Sequence, residues 1–331
     1  MSEPRCSPRI VVLDSFTLSP LSPGETHPQH PSWEPLAALG RLDLHPRTPP
    51  GEVAARAADC EIVLTNKAPM PREVLERLPK LRLVAVMATG TNIVDLAAAR
   101  ERGVTVCNVP GYAAPATAQT VFALLLELCQ RTGETALTVR EGRWCTSPDF
   151  SFTLAPWSEL EGRSFGVVGF GAIGARAARI ASGFGMKVLA FSRTRRLADF
   201  SVQWCSLEEL FSQADVISLH CPLTPATEKL VNAKSLARVK PGALLLNTGR
   251  GGLVDEDDVA AALRAGLLGG YGADVLSLEP PPLDHPLLNA PRTVITPHLA
   301  WASIEARRRL MHELVDNIRA YLDGTPRNVV S

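Results

Sequence analysis

Residues 166–174 read G-V-V-G-F-G-A-I-G, a short apolar run that passes into three glycines spaced as G-x-G-x-x-G. The run before the glycines is typical of a buried strand, and residues 175–184 have the spacing of a helix. In a dinucleotide-binding fold, Gly169 makes the tight turn, Gly171 lets the backbone approach a pyrophosphate, and Gly174 lets the helix pack on the strand. The pattern predicts a dinucleotide site, and the alternative is an ordinary glycine-rich turn between a strand and a helix.

The rest of the chain alternates short apolar runs with longer amphipathic ones, which is the pattern of strand–helix–strand units. Such units build parallel sheets with right-handed crossovers, so the predicted fold class is α/β. The predicted strands cover residues 10–13, 62–65, 83–87, 104–108, 166–169, 187–191, 216–220, 243–247, 271–275 and 293–296. The predicted helices cover residues 73–78, 94–102, 117–128, 175–184, 206–211, 257–265 and 303–322.

Length, charge and cysteine usage narrow the class of protein. A chain of 331 residues suits two domains, and its 34 basic side chains balance 34 acidic ones. Balanced charge argues against nucleic acid or a membrane surface as the main partner. Seven cysteines without a C-x-x-C pair favour reduced thiols over disulfides or a metal site. The first apolar run, residues 10–13, is too short for a signal peptide, so we expect a cytoplasmic protein.

The strand predicted at 187–191 is followed by S-R-T-R-R, an unusual concentration of positive charge. In an NAD site this strand ends in an Asp or Glu that binds the ribose 2′-hydroxyl. Ser192 and Arg193 stand there instead, and their side chains can donate to a 2′-phosphate that a carboxylate would repel. The stretch therefore favours NADP(H), with NAD(H) possible. The alternative is that Arg193 stacks on adenine while the next two arginines extend into solvent.

Four further polar residues follow predicted strands: Arg250, Asp274, Glu279 and His298. In an open parallel sheet, ligands bind beyond the carboxyl ends of the strands, so these side chains are expected to face one cleft. Arginine binds a carboxylate through two parallel hydrogen bonds, and a histidine beside a carboxylate is a usable general acid near neutral pH. Each residue alone has an ordinary alternative, as a surface ion pair or a turn residue. Together, downstream of a dinucleotide loop, they favour an active site.

The chain resembles the D-isomer-specific 2-hydroxyacid dehydrogenase family over nearly all its length. The resemblance rests on motifs in the family's order: M-A-T-G-T-N-I-V-D (87–95), V-G-F-G-A-I-G (168–174), H-C-P-L-T-P-A-T (220–227), N-T-G-R-G-G-L-V-D-E (247–256), D-x-x-x-x-E-P (274–280) and T-P-H-L-A-W (296–301). It implies two doubly wound domains, a flavodoxin-like substrate domain (1–114 and 298–331) and an inserted Rossmann cofactor domain (115–297). The T-N-K at 65–67 and the motif at 87–95 look closest to hydroxypyruvate and glyoxylate reductases.

The resemblance also implies roles for individual residues. Arg250 would bind the carboxylate of a small 2-oxo acid, protonated His298 would donate to the forming alkoxide, and Glu279 would hold the other imidazole nitrogen. Asp274 would bind the nicotinamide carboxamide. The implied cofactor-binding set is Gly169, Phe170, Gly171, Ala172, Ile173, Gly174, Ser192, Arg193, Thr194, Cys221, Pro222, Thr227, Thr248, Asp274 and Thr120. The implied substrate-binding set is Thr89, Gly90, Asn66 and Lys67, and no metal is implied.

The resemblance also concerns the oligomeric state of the chain. The family is typically a homodimer, and the aromatic stretch 144–157 is a candidate arm that reaches the second copy. The alternative is that Trp144 and Trp157 pack inside their own chain. The Pro-rich segment 19–31 has no assigned role. Two other functions stay open, a nucleotide-sensing corepressor-like binding protein and a dehydrogenase for a different D-2-hydroxy acid.

Overall fold

The computed structural model describes residues 7–22 and 24–331, and the chain folds into two compact units. The terminal unit comprises Met1–Ala113 and Ala302–Ser331, and the central unit comprises Ala114–Trp301. The boundaries predicted from the sequence lie after residues 114 and 297, within one and four residues of these. Cys6, the start of the chain and Pro23 of the Pro-rich segment lie outside the described residues.

Strands and helices alternate along most of the chain. The strands are β1 (Arg9–Val12), β2 (Arg41–Leu44), β3 (Ile62–Thr65), β4 (Leu83–Val86), β5 (Thr105–Cys107), β6 (Ser164–Val168), β7 (Lys187–Phe191), β8 (Gln203–Trp204), β9 (Val216–Leu219), β10 (Ala243–Asn247), β11 (Leu268–Ala273) and β12 (Thr293–Ile295). The α-helices are α1 (Glu34–Ala37), α2 (Val53–Ala57), α3 (Arg72–Leu75), α4 (Leu96–Glu101), α5 (Ala114–Gln130), α6 (Thr132–Arg140), α7 (Ala172–Gly183), α8 (Leu207–Gln213), α9 (Ala233–Leu236), α10 (Glu256–Arg264) and α11 (Ile304–Leu322).

The terminal unit contains a parallel sheet of five strands in the order β2-β1-β3-β4-β5. This 2-1-3-4-5 order is that of flavodoxin-like folds. Strands β3 and β4 are buried along their whole length, because helices cover both faces of a parallel sheet. The predicted flavodoxin-like architecture is therefore confirmed.

The central unit contains a parallel sheet of seven strands in the order β12-β11-β10-β9-β6-β7-β8. Numbered from β6, the order is 3-2-1-4-5-6-7, which extends the doubly wound dinucleotide-binding order by one strand. Alternate residues of β6 enter different cores: Phe165 and Val167 pack with α5 and α7, and Val168 packs with α8 and α10 on the other face. The order of the strands reverses between β6 and β9, and the carboxyl ends of these two strands mark the ligand-binding crevice of such folds.

Two further features concern the cysteines and the helices. The six cysteines within the described ranges are all free thiols. None of the helices in those ranges is both long enough and apolar enough to span a membrane.

Candidate active site

The glycine loop sits where the order of strands reverses. Gly169 follows β6 with φ of +98°, and a Cβ there would lie 2.6 Å from the amide nitrogen of Cys221, just beyond β9. A Cβ on Gly174 would lie 2.0 Å from the carbonyl oxygen of Gly169. Only glycine fits these two positions, since one needs the left-handed region and both touch backbone. Helix α7 therefore begins directly beside the ends of β6 and β9.

Unsatisfied polar groups at this edge fit a bound dinucleotide. The residue before α7, Gly171, offers no side-chain cap, so the first amides of the helix are available to an anion. Within the described residues, Nδ1 of His220 and Oγ1 of Thr248 are buried without a hydrogen-bond partner. They extend neighbouring strands, because Leu219 of β9 pairs with Asn247 of β10. Phe170, in contrast, is buried in the core, so only its backbone can face a cofactor.

The stretch after β7 begins next to the glycine loop. The amide of Gly169 donates to the carbonyl of Phe191 at 2.8 Å, so Ser192 starts beside the first glycine. Ser192 is half-buried, and Arg193 and Thr194 are exposed without a side-chain partner among the described residues. The next arginine, Arg195, lies over the ring of Trp204 at 5.9 Å. The guanidinium of Arg193 is therefore available to an anionic ligand.

Glu279 and His298 form a direct pair. Oε2 of Glu279 lies 2.6 Å from Nδ1 of His298, and each side chain is about one-third exposed. Because Nδ1 faces the carboxylate, Nε2 is the ring nitrogen that can face a reactant. The other carboxylate oxygen of Glu279 accepts the amide of Leu276 at 3.1 Å. The structure thus brings together two of the three predicted catalytic residues.

The loop that carries His298 is anchored on Asp274. This carboxylate, 1% exposed just after β11, accepts the amides of Leu299 and Ala300 at 2.9 and 2.8 Å and the hydroxyl of Thr296 at 2.6 Å. His298 has φ of +51°, which is uncommon outside glycine and is held by these neighbouring bonds. The anchor also explains why His298 lies in the central unit, whereas the prediction from sequence assigns it to the substrate domain. The nicotinamide contact of Asp274 stays a prediction.

Arg250 follows β10 in a turn organised by Asn247. The fully buried amide of Asn247 accepts the amide of Gly249 at 3.0 Å and donates to the carbonyl of Arg250 at 2.9 Å. The Arg250 side chain is exposed and donates to the carbonyl of Gly249. Sequence reasoning did not single out Asn247, although an asparagine that ends the apolar run L-L-L-N is a signal for such a side-chain turn.

Gly251 joins this turn to the one that carries Glu279. A Cβ on Gly251 would lie 2.0 Å from the carbonyl carbon of Leu276 and 2.1 Å from the amide nitrogen of Ser277. The two backbones are therefore in contact, two residues before Glu279. Arg250 and the Glu279–His298 pair consequently share one packed edge of the central unit.

The predicted substrate-binding residues lie in the terminal unit. The buried carboxylate of Asp14 accepts the amides of Asn66, Lys67 and Ala68, so the backbone amides of Asn66 and Lys67 are not available to a ligand, whereas their side chains are. Burial raises the pKa of Asp14, and these three hydrogen bonds oppose the rise. The nearby Thr89 donates its hydroxyl to a backbone carbonyl at 2.8 Å.

The amides of Thr89 and Gly90 have no acceptor among the described residues. They are therefore available to bind a carboxylate.

Two of the remaining predicted cofactor contacts, Thr227 and Thr120, form hydrogen bonds within the protein. The hydroxyl of Thr227 donates to the carbonyl of Pro222 at 2.6 Å and closes the loop after β9. The hydroxyl of Thr120 donates to the carbonyl of Ala116 within α5. Burial raises the pKa of the Cys221 thiol, so this side chain is neutral near pH 7. These residues stay predictions as cofactor contacts.

Comparisons with known proteins show which family of proteins this chain resembles. A model of the D-isomer specific 2-hydroxyacid dehydrogenase NAD-binding domain matches residues 122–300. The chain is 43% identical to a hydroxypyruvate reductase of Blautia hydrogenotrophica over 98% of this chain and 99% of that one. It is 36% identical to a glyoxylate reductase of Korarchaeum cryptofilum over 98% and 96%.

A crystal structure with similar architecture contains bound ligands. It is an NADPH-dependent glyoxylate/hydroxypyruvate reductase of Sinorhizobium meliloti in complex with NADP and malonate. It shares 30% identity with this chain, with a TM-score of 0.82 and coverage of 98% of this chain and 97% of that one.

Proposed function

The chain belongs to the D-isomer specific 2-hydroxyacid dehydrogenase family, and we propose that it uses NADPH to reduce hydroxypyruvate or glyoxylate. The observation that carries the proposal is the 2.6 Å contact between Glu279 and His298, beside the Arg250 turn. A paired histidine and an arginine at the carboxyl edge of a dinucleotide-binding sheet suit a reaction that needs a proton donor and a carboxylate clamp. The reductases of Blautia hydrogenotrophica and Korarchaeum cryptofilum support the substrate class.

Three residues of the central unit have separate roles in the proposed reduction. The cofactor, when bound, supplies a hydride to the carbonyl carbon of the substrate. Arg250 binds the substrate carboxylate through its planar guanidinium and polarises the ketone oxygen. His298 donates the proton on Nε2 to the forming alkoxide, which completes the alcohol. Glu279 holds Nδ1, so the ring keeps Nε2 directed at the reactant.

The preference for NADPH rests on the stretch after β7. A half-buried hydroxyl on Ser192 and an exposed guanidinium on Arg193 are suited to a 2′-phosphate, and no acidic residue occupies either position. Thr194 is the third residue of this candidate 2′-phosphate site. On the substrate side, the available amides of Thr89 and Gly90 and the side chains of Asn66 and Lys67 are our candidates for carboxylate and hydroxyl contacts.

We also propose a homodimer formed through the central unit. Phe150, Trp157 and Trp144 are 89, 62 and 53% exposed, so they do not pack fully inside their own chain. A cavity of about 1000 Å³ between α5 and α7, bordered by the exposed Leu197, offers an apolar surface on the same unit. Exposed apolar groups of this extent mark interaction sites. Light scattering is expected to give twice the 35.6 kDa chain mass, and a single-chain mass contradicts the dimer.

The experiment that tests the function is kcat/KM with NADPH and with NADH, on hydroxypyruvate and on glyoxylate, for wild type and Ser192→Asp. We expect NADPH preference in the wild type and its loss in the variant, because the new carboxylate repels the 2′-phosphate. Equal use of both cofactors by the wild type contradicts a 2′-phosphate site at Ser192 and Arg193. An absence of turnover with every 2-oxo acid tested contradicts the reductase and favours the nucleotide-sensing binding protein.

A further inference from the structure

A largely buried carboxylate outside the proposed catalytic set binds the loop that carries Glu279. Glu256 is the first residue of α10, and its side chain is 11% exposed. Its Oε1 accepts the amide of Ser277 at 2.8 Å, and its Oε2 accepts the Ser277 hydroxyl and lies 3.1 Å from Nε2 of His285. The cap of α10 is supplied by a different residue, Asp255. The Glu256 carboxylate is therefore directed at the loop and not at its own helix.

The loop depends on this anchor because it has little packing of its own. Residues 277–284 form no helix or strand, and Leu278 and Leu283 are 60 and 95% exposed. Only the residues that flank the segment, Leu276 and His285, are buried. A segment with few buried apolar contacts opens at low free-energy cost, so its polar contacts decide where it lies.

The hydrogen-bond donors of the loop match the Glu256 carboxylate. Nδ1 of His285 accepts the amide of Leu287, so Nε2 carries the proton and donates to Oε2. Glu256 thus accepts three hydrogen bonds from one loop. The residue types are those of a hydrolytic triad, but the carboxylate stands between the Ser277 hydroxyl and the imidazole. His285 is therefore not placed to take the Ser277 proton, and the cluster is an anchor.

The anchor is connected to the reacting groups by two short steps. The Leu276–Ser277 peptide lies between the Glu256 carboxylate and the backbone of Gly251 in the Arg250 turn. The amide of Leu276 donates to Glu279, which in turn contacts Nδ1 of His298. Leu276 therefore joins the Glu256 anchor to Glu279, and a shift of this residue moves Glu279 relative to His298.

We propose that Glu256 is a positioning residue for the proposed reduction, which holds the 277–285 loop so that Glu279 stays on Nδ1 of His298. The inference rests on the proposed function, because only a proton transfer makes this placement matter for rate. Displacement of a catalytic contact by about 1 Å lowers the rate by about 100-fold.

The variant Glu256→Gln tests the proposal with little change in volume. No orientation of the amide accepts all three hydrogen bonds, because its NH2 group then faces either the Ser277 amide or both the Ser277 hydroxyl and His285. Asp257→Asn is the matched control, since it removes the same charge from the next, exposed residue of α10. We expect Glu256→Gln to lower kcat by about tenfold to 100-fold and Asp257→Asn to change it by less than about threefold.

A double-mutant cycle separates positioning from general destabilisation. If Glu256 acts through Glu279, then Glu256→Gln lowers kcat by less than about threefold when Glu279→Gln is already present. The full loss in that background, or an equal loss from Asp257→Asn, overturns the proposal.

Amide hydrogen exchange over residues 274–286 distinguishes this inference from the proposed function. We expect faster exchange at this loop in Glu256→Gln than in the wild type or Asp257→Asn. A wild type without turnover contradicts the proposed reductase activity. The exchange measurement still tests whether Glu256 holds the loop. Unchanged exchange in Glu256→Gln contradicts the anchor whatever the activity.

Discussion

The contact at Gly251 leads to a sharp prediction for Gly251→Ala. The added methyl would lie 2.0 and 2.1 Å from backbone atoms of Leu276 and Ser277, and carbon atoms in contact need about 3.5 Å. The Arg250 turn and the Glu279 turn must therefore separate by more than about 1 Å. A displacement of that size costs about 100-fold in rate, and forced overpacking costs about 1–3 kcal/mol of stability. We expect kcat/KM for hydroxypyruvate to fall about 100-fold in a protein that still folds and binds NADPH.

Gly252→Ala is the control for this prediction. A methyl there would meet only the side chain of Leu223 at 3.0 Å, and the far end of a leucine can move. We expect its kcat/KM to stay within about threefold of wild type. The assay combines steady-state kinetics with a thermal melt and NADPH fluorescence titration of both variants. Comparable activity of Gly251→Ala and Gly252→Ala would refute the claim that the two turns are packed against each other.

Three further predictions follow from groups at the same edge. Burial lowers the pKa of His220 to about 4, below its unfolded value, so the contribution of this residue to stability falls as pH drops below about 6.5. In urea unfolding, the stability lost between pH 7 and pH 5 should be about 2 kcal/mol smaller in His220→Gln than in the wild type, and an equal loss contradicts the buried neutral histidine. Glu279→Gln should lower kcat by about 100-fold with little change in KM for the 2-oxo acid, measured in initial-rate assays; an equal kcat contradicts the orienting role. Asp274→Asn places an NH2 group against buried amide donors and should destabilise the protein by about 1–3 kcal/mol in thermal melts, while an unchanged melting temperature contradicts the anchor.

The parts of the fold that were predicted correctly carry strong local signals. Strands β3, β7 and β10 have the predicted bounds, because each contains three or four consecutive apolar residues next to a polar one. Strand β2 was not predicted, because its sequence R-L-D-L at the sheet edge is half-exposed and charged. Helix α6 was missed for a related reason, since it buries none of its residues and so has no apolar stripe.

The candidate site likewise combines a contact that the sequence predicts with contacts that it does not. The Glu279–His298 pair follows from sequence because both residues come after neighbouring strands of one sheet. The anchoring of the His298 loop does not, since Asp274 reaches it across more than 20 residues through backbone amides that have no sequence signature. The hydrogen bond from the Asn66 amide to Asp14 joins residues 52 positions apart and is not predictable from the sequence for the same reason.

The placement of all three proposed catalytic residues in one continuous segment has an evolutionary consequence. Arg250, Glu279 and His298 lie between Ala114 and Trp301, together with the glycine loop and the anchors that hold them. The hydrogen bonds of the His298 loop, to Asp274 and from the Trp301 side chain, also join residues of this segment. Recombination that moves this segment therefore moves the contacts of the His298 loop with it, so the proposed chemistry is inherited together with its anchors.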